Sequence, residues 1–339
     1  MIERLFILNS KSVHGLIGFI LLGKAIKYGL NSLPYLLRNR RIYPYYASFK
    51  LTDRCLFRCP FCDVWRNPAP ELNTGEVKGV LDNLAGCSLF LVSLEGGEPL
   101  LRQDIGEILK HAGEMPYFIL FTTSQRNILD YPWEEYTKYI DYLHISIDEG
   151  HKNLFLFDKL PELVKFRSVV TVQTVVADGE TLKIREKVQI CHRAGAKILI
   201  MPAVHLDGAD NNFPNWDEFR NEVLTLKREF PNTITTPRGY FANVEKHRCS
   251  SSSIIIDCDG GLYYPCRTLG EKPVNLTRTS LKEYLISESA RNARQKMTEC
   301  ERNCGWYQYF AIDAFTSPLN IYDGIRPYLG DLFRYITIC

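Results

Sequence analysis

Cys55, Cys59 and Cys62 stand within the eight-residue stretch Cys55-Leu56-Phe57-Arg58-Cys59-Pro60-Phe61-Cys62, a C-x3-C-x2-C spacing. Thiolates in so short a loop can hold three corners of an iron–sulfur cubane and leave the fourth iron open to a ligand. A zinc knuckle is the competing reading, but zinc motifs normally come as two pairs of ligands, not three thiols on one loop. Forty residues on, Glu95-Gly96-Gly97-Glu98-Pro99 joins glycines that let a backbone approach a ligand to a carboxylate able to accept from an ammonium group. A second set of thiols follows late in the chain: Cys249, Cys258, Cys266, Cys300 and Cys304. Four thiolates suit a closed iron–sulfur cluster or a structural zinc, and both readings stand on residue type alone.

The elements that must position these groups read as alternating strands and helices. Strands are expected at 46–51, 89–94, 117–122, 142–147, 169–176 and 197–202, with helices at 74–84, 104–112, 133–139, 161–166, 182–194 and 211–230. Thr74 is the expected cap of the first helix. Six strand–helix repeats with short connections predict a parallel sheet with right-handed crossovers, two units short of a closed eight-stranded barrel. The glycine pair then falls just after the second strand, at the carboxyl edge where open α/β sheets bind ligands. Near residue 235 the pattern shifts to short strands. A hairpin is expected at 254–264 around Asp259-Gly260-Gly261, and a helix over 280–297 capped by Thr279 or Ser280. Four segments follow: 1–44, 45–234, 235–310 and an apolar tail, 311–339.

At 339 residues, 45% hydrophobic and 24% charged, the composition is that of a folded globular protein. The net charge of +2 gives no argument for a nucleic-acid partner, and none is expected. Charge is unevenly spread: residues 1–50 carry eight Lys/Arg against Glu3, a local +7 that leaves −5 for the rest. Leu16, Phe19, Gly23, Ile26, Leu30 and Leu33 recur at helical steps, followed by Arg38, Arg40 and Arg41. The charge-free run from Ser12 to Gly23 is too short to span a membrane. This segment reads as an interfacial helix at a membrane surface or as a packing helix over the domain, and both stay open. Eleven tightly spaced cysteines without a secretory pattern place the chain in a reducing cytoplasm, with the membrane's cytoplasmic face as the site of any peripheral association.

Thr52-x-x-Cys55-x3-Cys59-x2-Cys62, with Phe61 before the last thiol and the Gly-Gly-Glu-Pro run after the second strand, resembles the signature of the radical S-adenosylmethionine (SAM) superfamily over about residues 45–205. The resemblance implies an α/β fold, an open partial (β/α)6 TIM-type barrel. It also implies a [4Fe–4S] cluster on Cys55, Cys59 and Cys62, and SAM cleaved to a 5′-deoxyadenosyl radical that abstracts hydrogen. By the same resemblance SAM is contacted by Phe61, Gly96, Gly97 and Glu98, by Thr123 at the end of the third strand, and by Ser146 and Asp148 in the Ser-x-Asp strand end. Gln173 takes the ribose-binding place and Met201 the adenine-packing place. Read as residues alone, these last two are equally ordinary strand positions. The sequence departs from the family's Thr-Asn-Gly at Thr123-Ser124-Gln125. Residues 245–310 resemble the SPASM/Twitch extension, a small α+β domain, which implies an auxiliary [4Fe–4S] cluster on Cys249, Cys266, Cys300 and Cys304, with Cys258 left over.

The implied activity is hydrogen abstraction from an unactivated C–H bond, fed by an electron donor of ferredoxin or flavodoxin type. The greasy, basic start and the apolar tail favour a membrane-lipid alkyl chain as substrate, modified or cross-linked by carbon–carbon bond formation as in the archaeal-type lipid enzymes. The alternative is a maturase that cross-links a ribosomally made peptide, the commoner work of SPASM/Twitch enzymes. An electron-transfer carrier is disfavoured, because a carrier has no need of a SAM site.

Overall fold

In the computed structural model, the residues described are 43–66, 68–87, 89–166, 168–204, 212–302, 304–311, 322–324 and 326–328. The amphipathic start at 13–41, nearly all of the tail and Cys339 lie outside them. Six strands, β1 (Tyr46–Thr52), β2 (Leu91–Gly96), β3 (Phe118–Thr123), β4 (Tyr142–Ser146), β5 (Val169–Val176) and β6 (Lys197–Pro202), pair in parallel and in chain order. Helices α1 (Thr74–Ala85), α2 (Ile105–Gly113), α3 (Trp133–Tyr136), α4 (Leu160–Leu163) and α5 (Ile184–Ala194) fill the crossovers, and α6 (Trp216–Glu229) follows β6. Because strand order never reverses, right-handed crossovers put every helix on one face, and the sheet curls into an open barrel instead of a doubly wound layer.

Alternation along each strand sorts the residues. Ala47, Phe49 and Leu51 of β1, Val92 and Leu94 of β2, Ile119 and Phe121 of β3, Leu143 and Ile145 of β4 and Ile198 and Ile200 of β6 join the buried apolar layer. Those of the opposite parity, such as Ser48, Lys50, Ser93, Glu95, His144, Ser146 and Gln173, fall on the other face, inside the barrel.

Two local expectations change. The cap of α1 is Asn73, not Thr74: Asn73 Oδ1 accepts from the Glu76 amide at 3.0 Å and the Glu76 carboxylate accepts from the Asn73 amide at 2.9 Å, a reciprocal capping box. The single helix expected over 280–297 is two, α8 (Leu281–Ile286) and α9 (Glu288–Thr298), below. The break is Ser287, whose extended backbone ends one helix and whose hydroxyl caps the next through the Ala290 amide.

Beyond β6, residues 233–236 lie along its outer edge: the Ile198 amide donates to Thr233 O at 2.8 Å and the Thr235 amide to Ile198 O at 2.9 Å. Helix α7 (Arg238–Glu245) follows. The chain then crosses to the other side, where β7 (Ser253–Ile256) pairs in parallel with β1 and is extended by β8 (Gly261–Tyr263) and β9 (Val274–Asn275) in antiparallel fashion. One nine-stranded sheet thus runs through barrel and late segment. Helices α8 and α9 come next, and α10 (Tyr307–Ala311) packs on α7.

The β1–β7 seam is pinned by a buried ion network. Lys50 Nζ lies 2.8 Å from Asp257 Oδ1 and 3.7 Å from Asp53 Oδ1, Lys272 Nζ lies 2.5 Å from Asp257 Oδ2, and the Tyr263 hydroxyl donates to the same oxygen at 2.9 Å. Burial raises the Asp257 carboxyl, but Lys50 and Lys272 outweigh it and hold the group well below the usual carboxylate range. A carboxyl depressed in the folded state stabilises fully above its unfolded pKa of about 3.9, and that contribution is lost as pH falls through the folded value. Asp257→Asn is therefore expected to cost about 3 kcal/mol at neutral pH by leaving Lys50 buried without its closest partner. Denaturant midpoints measured from neutral pH downward should also show the gap between variant and wild type closing below about pH 4. A pH-independent gap would mean that the network is not what stabilises the seam.

Candidate functional site

The three thiols follow β1 directly, and backbone contacts lock their loop to the glycine pair. Gly97 N donates to Thr52 O at 2.6 Å and Glu98 N to Arg54 O at 2.8 Å. Gly96 has φ +139°, and a Cβ there would stand 2.3 Å from Thr52 O. At Gly97 it would stand 2.2 Å from Arg54 O. Neither position has room for a side chain, so Gly-Gly lets the loop after β2 lie against the root of the cysteine loop. Arg102 ties down the same root, donating to Leu51 O at 2.8 Å and Leu72 O at 3.1 Å.

Within the loop, Cys62 N donates to Cys59 O at 3.2 Å, turning the chain back on itself, and Arg58 Nη1 donates to the carbonyls of Cys55 and Phe57, both at 2.8 Å. The three thiols stand within one another's electrostatic field, and burial pushes each of them up. Such thiols become thiolates when a cationic cluster takes the charge, which is the behaviour expected of ligands in a dry pocket. Phe57 and Phe61 present edges to the His151 ring at 5.4 and 5.8 Å, and His151 Nδ1 lies 2.8 Å from Asp148 Oδ1. Gly150 gives Phe61 its space: a Cβ there would lie 2.2 Å from the ring.

A cavity of about 270 Å³ opens at the carboxyl ends of the strands, beside the thiols. Of the residues expected to contact SAM, Phe61, Gly96, Gly97, Ser146, Gln173 and Met201 line it together with Cys55, Cys59 and Cys62. Glu98, Thr123 and Asp148 do not. The Glu98 carboxylate is fully buried and turned into the scaffold, accepting from Thr123 Oγ1 at 2.7 Å, the Ser124 amide at 2.8 Å and the Leu100 amide at 3.2 Å. Asp148 acts through His151 and accepts from the Val175 amide at 3.3 Å. Gln173 is steered from below: burial drives the His144 imidazole down to about 4, so it is neutral, and its Nδ1 sits 3.2 Å from Gln173 Oε1. Since that oxygen only accepts, Nδ1 carries the proton and the amide NH2 is left for a ligand.

Glu95, Thr122, His151, Arg267, Trp306 and Tyr307 are among the lining residues that were missed. Glu95 and Thr122 share the inward parity of their strands. Burial raises the Glu95 carboxyl, against the Ser48 and Ser93 hydroxyls that hydrogen-bond to it. Arg267, Trp306 and Tyr307 come from the late segment and close the cavity from the side opposite β4–β6.

Cys249, Cys266, Cys300 and Cys304 also converge. Burial and the other three thiols push Cys249 up to about 12, and burial with Cys300 nearby raises Cys266 and Cys304. A tetrahedral zinc with bonds of about 2.3 Å would draw its sulfurs to about 3.8 Å from one another. Among the described residues the one group of three donor atoms within 4.8 Å is Asp53, Asp257 and Cys258, so neither cysteine set gathers that closely. Cys258 stands apart from the four: it belongs to the Lys50 network, where an ammonium already supplies the positive charge.

Residues 49–206 match the family model described as Radical SAM superfamily. In sequence the chain is similar to GTP 3′,8-cyclase of Vibrio cholerae serotype O1, 29% identical over 119 residues, which are 33% of this chain and 36% of that protein. It is similar also to PqqA peptide cyclase of Rhodopseudomonas palustris, 37% identical over 87 residues, 24% of this chain and 22% of that protein. The match thus spans about a third or less of these relatives' length. In structure it resembles SuiB of Streptococcus suis, solved with S-adenosylmethionine (TM-score 0.63, 14% identity, 84% of this chain and 77% of SuiB) and with the precursor peptide SuiA (TM-score 0.64, 13% identity, 84% and 76%). At that identity the likeness speaks for the fold. No helix among the described residues is long and apolar enough to cross a membrane.

Proposed function

We propose that this chain, an enzyme carrying a radical SAM domain, abstracts hydrogen from an unactivated C–H bond of a peptide and so modifies or cross-links it. Cys55, Cys59 and Cys62 would hold the catalytic [4Fe–4S] cluster, and Phe61, Gly96, Gly97, Ser146, Gln173 and Met201 would surround SAM. Bound there, the pair supplies a carbon-centred radical once an electron arrives from a ferredoxin- or flavodoxin-type donor. Cys249, Cys266, Cys300 and Cys304 would hold an auxiliary cluster that accepts or relays an electron on the substrate side. The protein's own part is to hold the thiol loop against the glycine pair, orient Gln173 through His144 and wall the cavity from water.

The observation that carries the peptide reading is the cavity wall. Phe57, Trp65, Trp306 and Tyr307 line it together with Arg267, Asp63 and Glu95. Side chains of a peptide offer partners to such a wall, whereas a saturated alkyl chain would leave its polar groups desolvated and unpaired. The two supports for a lipid substrate, the basic amphipathic start and nearly all of the apolar tail, lie outside the described residues. Kinship with a peptide cyclase and likeness to a peptide-bound fold lean the same way.

The anaerobically reconstituted full chain should hold about eight irons, as two cubanes, and release 5′-deoxyadenosine when reduced with SAM. One cluster's worth of iron with stoichiometric zinc would remove the auxiliary cluster. A pool of random peptides is expected to raise SAM cleavage, and vesicles of saturated-chain phospholipid are not. The reverse pattern would return the substrate to lipid.

A further inference from the structure

Arg267 is the one lysine or arginine among the described residues that line the cavity. It follows Cys266 and projects from the late segment toward the thiol loop. Its guanidinium is held between two aromatic faces, 5.5 Å from the Tyr263 centroid and 5.9 Å from Trp306, and its side chain is only 12% exposed. The acid that meets it is Asp63, next to Cys62, and the contact is loose: Nη2 reaches Oδ1 at 3.2 Å and Oδ2 at 3.4 Å, while the Asp63 side chain is 34% exposed. A bidentate arginine–carboxylate pair closes to about 2.7–2.9 Å through two nitrogens. Asp63 takes only Nη2.

A desolvated guanidinium stacked by aromatics keeps its geometry in the absence of a ligand, so little is lost on ordering it when one arrives. We infer that Arg267 is a substrate-anchoring residue that takes an anionic group, a carboxylate of the substrate peptide. The inference rests on the peptide reading above and adds its chemical class: the peptide carries an aspartate, a glutamate or a free C-terminus at the anchored position. Asp63 then acts as an internal stand-in that the incoming carboxylate displaces from Nη2.

The test selects a displayed library of random hexapeptides on the SAM-loaded, cluster-reconstituted full chain. Wild type is expected to enrich Asp and Glu severalfold at one position. Arg267→Gln should lose that preference, Arg267→Lys should keep part of it, and Asp63→Asn, which removes the competitor, should sharpen it. Enriched peptides without acidic preference, or a preference that survives Arg267→Gln, would overturn the anchor and leave the peptide reading intact. If Arg267→Gln fails to retain its clusters, Asp63→Asn decides: an unchanged or weaker acidic preference overturns the inference. No enrichment of any peptide would remove both. Tight binding of GTP that is lost in Arg267→Gln, with no peptide enriched, would replace the carboxylate by a phosphate and sink the peptide reading.

Discussion

Cys59→Ser is expected to drop 5′-deoxyadenosine formation to the assay background, a loss of about 10³-fold or more, while iron falls only to about half. Cys59 is the middle thiol of its loop and the most deeply buried of the three. A serine oxygen there is a poor replacement for a soft thiolate ligand, and the turn closed by Cys59 O and Cys62 N remains. The residual iron reports on the second cysteine set, whose thiols lie on the segment after α7 and do not share the loop. Cys266→Ser gives the mirror experiment: half the iron again, but with the cluster that binds SAM kept. Near wild-type 5′-deoxyadenosine from Cys59→Ser would sink the assignment of the first loop. Loss of all iron from Cys59→Ser would mean that the late thiols hold no cluster of their own.

How much of this was legible depended on the range of the interaction involved. The six strands and their order follow from local periodicity, because each short strand pattern is flanked by a helical pattern and short loops. Strand parity decides which residues reach the cavity. Thr123 shares the outward parity of Phe121, and its hydroxyl donates to Glu98. Thr122 takes the inward place. Counting parity from the apolar residues Ile119 and Phe121 would have found Thr122, and counting from Val92 and Leu94 would have found Glu95. Glu98 illustrates a different limit. Its carboxylate is turned by three donors from β3 and its own turn, contacts that the Gly-Gly-Glu-Pro run does not announce, and one acceptor site on Oε2 stays open.

The late segment was the hardest to place. Its hairpin was evident around Asp259-Gly260-Gly261, but nothing local says that β7 pairs in parallel with β1, about two hundred residues earlier. That pairing rests on Lys50, an inward residue of β1 that finds Asp257 across the seam. Once it forms, Arg267 and Trp306 are carried to the cavity mouth as near neighbours of Cys266 and Cys304. The signal available in the sequence was adjacency: aromatic and cationic residues one or two places after a metal-type thiol. The same docking is reinforced by Asn83 of α1, whose amide donates to Leu276 O at 2.8 Å and Thr279 O at 2.7 Å while its carbonyl accepts from the Leu281 amide at 2.9 Å.

Gly97→Ala should be among the most damaging single-methyl additions in the chain. The new Cβ would sit 2.2 Å from Arg54 O, 2.8 Å from Arg54 C and 2.9 Å from Asp53 C, all backbone atoms with no rotamer to escape into. Relief requires moving the cysteine loop away from β2, which breaks the Gly97–Thr52 and Glu98–Arg54 hydrogen bonds and widens the pocket around the first three thiols. The expected cost is about 4 kcal/mol or more, read as a lower denaturant midpoint, with loss of cluster retention on the first loop. Gly79→Ala is the matching control. Gly79 lies on the exposed side of α1 with nothing within 4 Å of the new carbon, so alanine there should stabilise by about 0.5–1 kcal/mol through helix propensity alone. If the two variants shift the midpoint in the same direction, the close approach at Gly97 is not what holds the cysteine loop in place. Opposite shifts, with iron lost only from Gly97→Ala, would tie the thiol loop's geometry to the missing side chain.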